Sequence, residues 1–178
     1  MNKEKIEYNI RQCLGKEKSM SITPKGCSYP SSFIPLYMWN GLLLAAVDAN
    51  FTVDGYVIIP LAKIKKAWCS KEGKYNEIMK KERVFDRIDP PRIDMTSLAS
   101  VCACFMEARE CISIDLDGGF EVGRVKEVRK NSILFKPFDA QGKWQKERKI
   151  RFDEIRDITF RDMYTRVFSK YVPDKKKD

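Results

Sequence analysis

DANFTVDGYVIIPLAKIKKA (residues 48–67) aligns without a gap against DAQGKWQKERKIRFDEIRDI (residues 139–158), an offset of 91 residues. Asp48 and Ala49 fall on Asp139 and Ala140, Ile59 on Ile150, Leu61 on Phe152 and Ile64 on Ile155. A chain of 178 residues holds one domain or two small ones, and self-similarity at a fixed offset decides for two copies of one unit. Moving outward, apolar positions coincide from Ile34/Val125 to Ala67/Ile158. They include Tyr37/Val128, Leu42/Ile133, Leu43/Leu134, Leu44/Phe135 and Val47/Phe138, and Asn40 falls on Asn131 at a turn. Before Ile34 the register slips by one, so that Met20, Ile22 and Gly26 match Ile112, Ile114 and Gly118 at an offset of 92.

Each copy begins with a predicted helix. In the second, TSLASVCACFMEARE places Leu98, Val101, Cys102, Phe105 and Met106 at helical spacing behind Thr96 or Ser97 as N-cap. In the first, Ile6, Ile10, Cys13 and Leu14 form the stripe, which ends near Gly15. Five short strands follow in each copy. CISIDLDGGFEVGRVKEV alternates at Ile112, Ile114 and Leu116, turns at Asp117-Gly118-Gly119 and resumes at Phe120 and Val122; SILFKPF, RKIRFDEI and RDITF complete the set. In the first copy SMSIT, FIPLYM, GLLLAAV, YVIIPL and IKKAW play the same parts around the turns PKG and Trp39-Asn40-Gly41. A short amphipathic segment closes each copy, YNEIMKK and YTRVFSK, with Tyr75, Ile78 and Met79 opposite Tyr164, Val167 and Phe168. RVFDRIDPPRIDMT, with Pro90 and Pro91, reads as a stiff linker. The expected domains are therefore 1–83 (first repeat), 84–95 (Pro-containing linker), 96–172 (second repeat) and 173–178 (basic tail).

The apolar fraction of 43% and ten Phe indicate a folded chain. The longest apolar run, residues 42–47, is far short of the roughly 20 residues that span a bilayer, and the N-terminus lacks an apolar leader core. The expectation is a cytoplasmic protein with no membrane contact. The six Cys form no CxxC pair and the chain has no His, which argues against metal sites, cofactors and Ser–His or Cys–His nucleophile pairs. DLDGG has the opening of a calcium loop without its remaining ligands, and reads as a hairpin turn. Reduced, buried thiols and no enzymatic activity are expected. The net charge of +9 favours acidic partners.

A helix followed by five short, strongly bent strands resembles the Sm-like fold, a small SH3-like barrel. ISIDLDGGFEVGRVKEVRKNSILF resembles the first Sm motif, with Gly123 at the sharp bend, and KIRFDEIRDITF resembles the second. The first copy carries the resemblance through the repeat, with Ser32 where Gly123 would stand. The resemblance implies a fold that is mainly β with short helices (α+β): two tandem Sm-like five-stranded barrels, each preceded by an N-terminal helix. It also implies RNA binding at two loops and assembly through open strand edges. The matching positions are Arg129, Lys130, Asn131 and Ser132, then Asp153, Glu154 and Ile155; in the first copy they are Met38, Trp39, Asn40, Gly41, Ala62 and Lys63. The chain departs from the family pattern at Arg129, at Ile133 and in the acidic FDEI.

Candidate nucleic-acid contacts are Trp39, Asn40, Lys63, Arg129, Lys130, Asn131, Lys143, Trp144 and Lys146: aromatics stack bases and cations hold phosphates. A plainer reading stands beside each. Trp144 packs over protein while the KWQKERKIR cations form a solvated strand face, and Arg129, Lys130 and Asn131 make a surface turn. Two functions follow. One is a non-catalytic module binding RNA or another polyanion; the other is a protein-interaction or scaffold module that pairs with a partner or itself through barrel strand edges.

Overall fold

The computed structural model describes residues 1–69 and 73–172. The stretch read as a basic tail, 173–178, lies outside the described residues. The chain divides into two compact units, Met1–Arg92 and Ile93–Asp178. Among the described residues it is mainly β, with four short helices.

In the first unit, α1 (Lys3–Arg11) is capped by Asn2, whose side chain accepts from the Lys5 amide at 2.9 Å. Strands β1 (Met20–Pro24), β2 (Ser31–Trp39), β3 (Leu42–Asp48), β4 (Val53–Pro60) and β5 (Ile64–Cys69) form an antiparallel sheet in the order β5-β1-β2-β3-β4. A 3-10 turn, Leu61–Lys63, joins β4 to β5, and α2 (Lys74–Lys81) follows. Ile6, Ile10 and Cys13 of the helical segment pack on Met20, Ile22, Phe33, Leu43, Ala45, Val57 and Ile59. These residues are spaced by about 3.6 on the helix and by 2 along most of the strands, the two periods that place one face of each element on a shared core.

The second unit repeats the plan. Helix α3 (Leu98–Glu107) has Ser97 as N-cap, its hydroxyl accepting from the Ser100 amide at 3.0 Å. Strands β6 (Ile112–Leu116), β7 (Gly119–Arg129), β8 (Ser132–Phe138), β9 (Arg148–Arg151) and β10 (Ile155–Phe160) run in the order β10-β6-β7-β8-β9, and α4 (Met163–Phe168) closes the unit. Phe105 of α3 lies 4.9 Å from Phe160 of β10, ring centre to ring centre. At Gly123, a Cβ would stand 2.1 Å from the Lys136 carbonyl oxygen and 2.7 Å from the Pro137 Cα. Only a residue without a side chain allows β7 and β8 to approach this closely.

In the first unit Ser32 meets the sheet differently. Its hydroxyl donates to Asp48 Oδ2 at 2.7 Å, and the Tyr75 hydroxyl donates to Asp48 Oδ1 at 2.8 Å. Burial, and then the hydrogen bond to Asp48, raise the Tyr75 pKa. The matching Asp139 instead organises its own loop, accepting from the Gln141 and Lys143 amides at 3.0 and 2.9 Å.

Two findings correct the sequence reading. Cys13 and Cys69 are joined as a disulfide across a separation of 56 residues, where reduced thiols were expected. The physical reason is that α1 lies along β5: the Asn9 side-chain amide donates to the Ala67 carbonyl at 2.7 Å, which brings the two Cα atoms to 6.3 Å. Within the stretch read as a linker, Val84 and Met95 are buried, Phe85–Arg87 forms a 3-10 turn and the Asp89 amide donates to the Tyr56 hydroxyl at 2.9 Å. The stretch is thus fixed by local packing rather than extended as a bare spacer.

Candidate nucleic-acid interface

The geometry of β2 decides the site. Phe33 points into the core, and strict alternation from it would bury Pro35, Tyr37 and Trp39. The β2–β3 register shifts between Pro35 and Tyr37, around Leu36. One extra residue there reverses the faces beyond it. Met38 packs against the core opposite Leu43, while Tyr37 and Trp39 turn outward and are 48% and 56% exposed. The strand then ends in a two-residue turn, Asn40 (φ 43) and Gly41 (φ 78), positive at both positions as a type I′ hairpin requires.

The outward aromatics border a groove of about 760 Å³ lined by Glu7 and Arg11 of α1, residues 37–41 and Leu61. The Leu61 amide donates to the Gly41 carbonyl at 2.8 Å, tying the 3-10 turn to the hairpin tip. Glu7 lies 3.7 Å from Lys3. Trp39 and Asn40 therefore meet Arg11 and Tyr37 in one groove, whereas Lys63 is not among its lining residues. Tyr37 and Arg11 were missed by the sequence reading, which counted Tyr37 as a core position. The signal was present in outline: Tyr37 and Trp39 are two apart on a strand and share a face, so a buried Met38 sends both outward.

The second unit does not reproduce this surface. Its hairpin pairs Arg129 with Ser132, as the first pairs Trp39 with Leu42, so Lys130 and Asn131 occupy the turn that Asn40 and Gly41 occupy. The 91-residue match of Asn40 to Asn131 is corrected by one residue here, and Tyr37 and Trp39 correspond to Glu127 and Arg129. These two form a bidentate ion pair, with Arg129 Nε and Nη2 at 2.9 and 2.8 Å from the carboxylate oxygens. The hydrogen bond from Arg129 lowers the Glu127 pKa, and the same bond raises that of Arg129. Arg129 is thus matched by a carboxylate, beside the exposed Lys130 and Asn131.

Trp144 also takes a packing role. Its ring meets Phe138 edge-on at 5.6 Å, while Arg124 and Lys136 sit 5.4 and 5.9 Å from its centre. Phe138 in turn stacks on Phe168 at 5.3 Å, within a cluster that includes Cys111, Val122 and Val172. Lys143 and Lys146 are exposed on the loop beside it. A cleft of about 530 Å³ near the β6–β7 turn includes Phe120, Arg148 and Arg151, but Arg148 is bonded to Glu121, and Arg151 to Asp153 and Glu154. Of the predicted residues, the structure gathers Trp39 and Asn40 into one groove and disperses the rest.

Among the described residues, no helix is long and apolar enough to cross a membrane. Comparison with known proteins finds no matching family model, no matching curated protein and no matching solved structure.

Proposed function

We propose that the chain is a non-catalytic, tandem Sm-like binding module whose first unit takes single-stranded RNA on the outward face of β2. The observation that carries this reading is the exposed Tyr37–Trp39 pair beside Arg11. Side chains at i and i+2 on a strand stand about 6.6 Å apart, roughly twice the 3.4 Å spacing of bases along a strand. One base fits between the rings, or two bases take one ring each. Arg11 supplies a phosphate contact and Asn40 a donor and acceptor for a base edge. The Sm-like reading is supported by the shared plan of the units, a helix and then five antiparallel strands in one ladder order, and by the close approach at Gly123. The barrel belongs to this proposal, as a closure of each bent sheet.

The test is binding of a fluorescent uridine oligomer at low salt. Each of Tyr37→Ala and Trp39→Ala is expected to lose about 1–3 kcal/mol, or roughly 5- to 150-fold in affinity. The salt slope is expected to be shallow, about −1, because one or two phosphates meet cations. Undetectable binding, or unchanged affinity in both variants, would overturn the reading.

A second reading rests on the outer strands. Among the described residues β5 and β9 have a partner strand on one side only, which leaves an edge for another chain. Lys65 and Lys66 are exposed on β5, and Arg148, Lys149 and Arg151 on β9. Like charge opposes joining these edges to each other in self-association, so this reading calls for an acidic partner strand.

A further inference from the structure

We propose that the groove beside β2 selects guanine, with Glu7 reading the edge of a base stacked on Tyr37 and Trp39; the inference rests on the RNA reading of this groove and adds its base preference. Stacking alone accepts any base, because every base has a π-face. Among the described residues that line the groove, Glu7 is the single acid and Arg11 the single cation. A carboxylate opposes a bare polyanion, so its place in the groove suits a ligand that also brings hydrogen-bond donors.

The fold brings this acid to the aromatic pair. Ile6 and Ile10 are buried and seat α1 on the core. Glu7 and Arg11 each follow one of them, and at i and i+4 they share one flank of the helix. That flank and residues 37–41 line the same groove. The Glu7 side chain is half-buried, 31% exposed, whereas Lys3, the cation 3.7 Å away, is 74% exposed. At that distance the pair is ionic rather than hydrogen-bonded. A carboxylate has about four acceptor sites, so both Glu7 oxygens keep capacity for a ligand.

Donor count selects the base. Guanine presents N1–H and its N2 amino group side by side, two parallel donors that a carboxylate accepts as a bidentate pair. Uracil presents one donor, N3–H, between two carbonyl oxygens that a carboxylate repels. Adenine and cytosine each present one amino group beside a ring-nitrogen acceptor. Of the four RNA bases, guanine alone satisfies both carboxylate oxygens at once. Arg11, one helical turn beyond Glu7, takes a phosphate of the same strand. Uridine remains a ligand through stacking and that phosphate contact, held more weakly.

The experiment compares a labelled uridine oligomer with the same oligomer carrying one central guanosine, on the full chain at low salt, by fluorescence polarisation. The guanosine oligomer is expected to bind about tenfold more tightly, the scale of one added charge-assisted hydrogen bond. Inosine in place of guanosine lacks the N2 amino group and is expected to lose most of that preference. Glu7→Gln, checked for unchanged melting, puts an N–H donor where an acceptor stood; it is expected to bring the two oligomers to equal affinity while leaving uridine binding intact. Lys3→Ala is expected to keep the preference, which separates the carboxylate's role from its ion pair. Equal binding of the two oligomers by the parent, with Tyr37→Ala and Trp39→Ala still weakening both, would overturn the guanine assignment and leave the RNA reading standing. A guanosine preference that survives Glu7→Gln would overturn it as well, and binding of neither oligomer would overturn both readings together.

Discussion

Gly123→Ala is the sharpest test of how the second sheet is built. The added methyl would lie 2.1 Å from the Lys136 carbonyl oxygen, and real Cβ contacts stay beyond 3.0 Å, so β7 and β8 must separate by about 0.9 Å. The obstructing atoms are backbone on a paired strand, with Gly123 opposite Pro137 and Arg124 opposite Lys136, so no side chain can swing aside. Overpacking of this kind costs about 1–3 kcal/mol, and the upper part of that range applies where backbone must move. Restricting the unfolded chain returns about 0.4–1 kcal/mol. The net expectation is a loss of about 2 kcal/mol, or roughly 4–8 °C in melting temperature for a chain of this length. Thermal melting followed by circular dichroism, with urea titration for the free energy, reads both quantities. A variant as stable as the parent would refute the argument that close strand approach requires glycine here.

Other outcomes follow from named contacts. Ser32→Ala, which removes the 2.7 Å hydrogen bond to Asp48, is expected to cost about 1–2 kcal/mol in urea titration. Reducing the Cys13–Cys69 disulfide releases a closed loop of 56 residues, and the loop-entropy relation gives a loss of about 4 kcal/mol, read as a lower urea midpoint with reductant. Burial, reinforced by the charge of Asp115 on the paired strand, pushes the Asp157 pKa up from 3.8 to about 7. The folded state therefore holds a proton that the unfolded state has lost, so this group's contribution to stability declines as pH rises from about 4 to 7. Asp157→Asn is expected to flatten that decline and to exceed the parent in stability at pH 8, as measured by urea midpoints across pH.

The repeat and the order of elements were legible because they rest on local periodicity. Ile6 and Ile10 on α1, and Val101, Cys102 and Phe105 on α3, are buried at helical spacing, and Ile112, Ile114 and Leu116 alternate on β6. The bulge around Leu36 was not legible, because it is defined by pairing with β3 and leaves no mark in a period-2 count. That one residue turned Tyr37, expected in the core, outward beside Trp39 and created the candidate site. The same difficulty hid the hairpin register: the match of Asn40 to Asn131 looked like a shared turn, while strand pairing places Glu127 and Arg129 where Tyr37 and Trp39 stand. The disulfide was equally hidden, since Cys13 and Cys69 become neighbours only when α1 packs on β5. Trp144, read either as a stacking platform or as packing, sits against Phe138 beside Arg124 and Lys136, contacts that required the tertiary fold.

The central claim is that bases stack on the first unit's outward aromatic pair, and Trp39 can report it directly. The chain has three Trp, so Trp68→Phe with Trp144→Phe leaves Trp39 as the single indole. Titration of this variant with a single-stranded uridine oligomer at low salt is expected to quench its fluorescence in step with binding followed by polarisation, and Tyr37→Ala is expected to weaken both signals together. Binding that proceeds with no change in Trp39 emission would contradict the account.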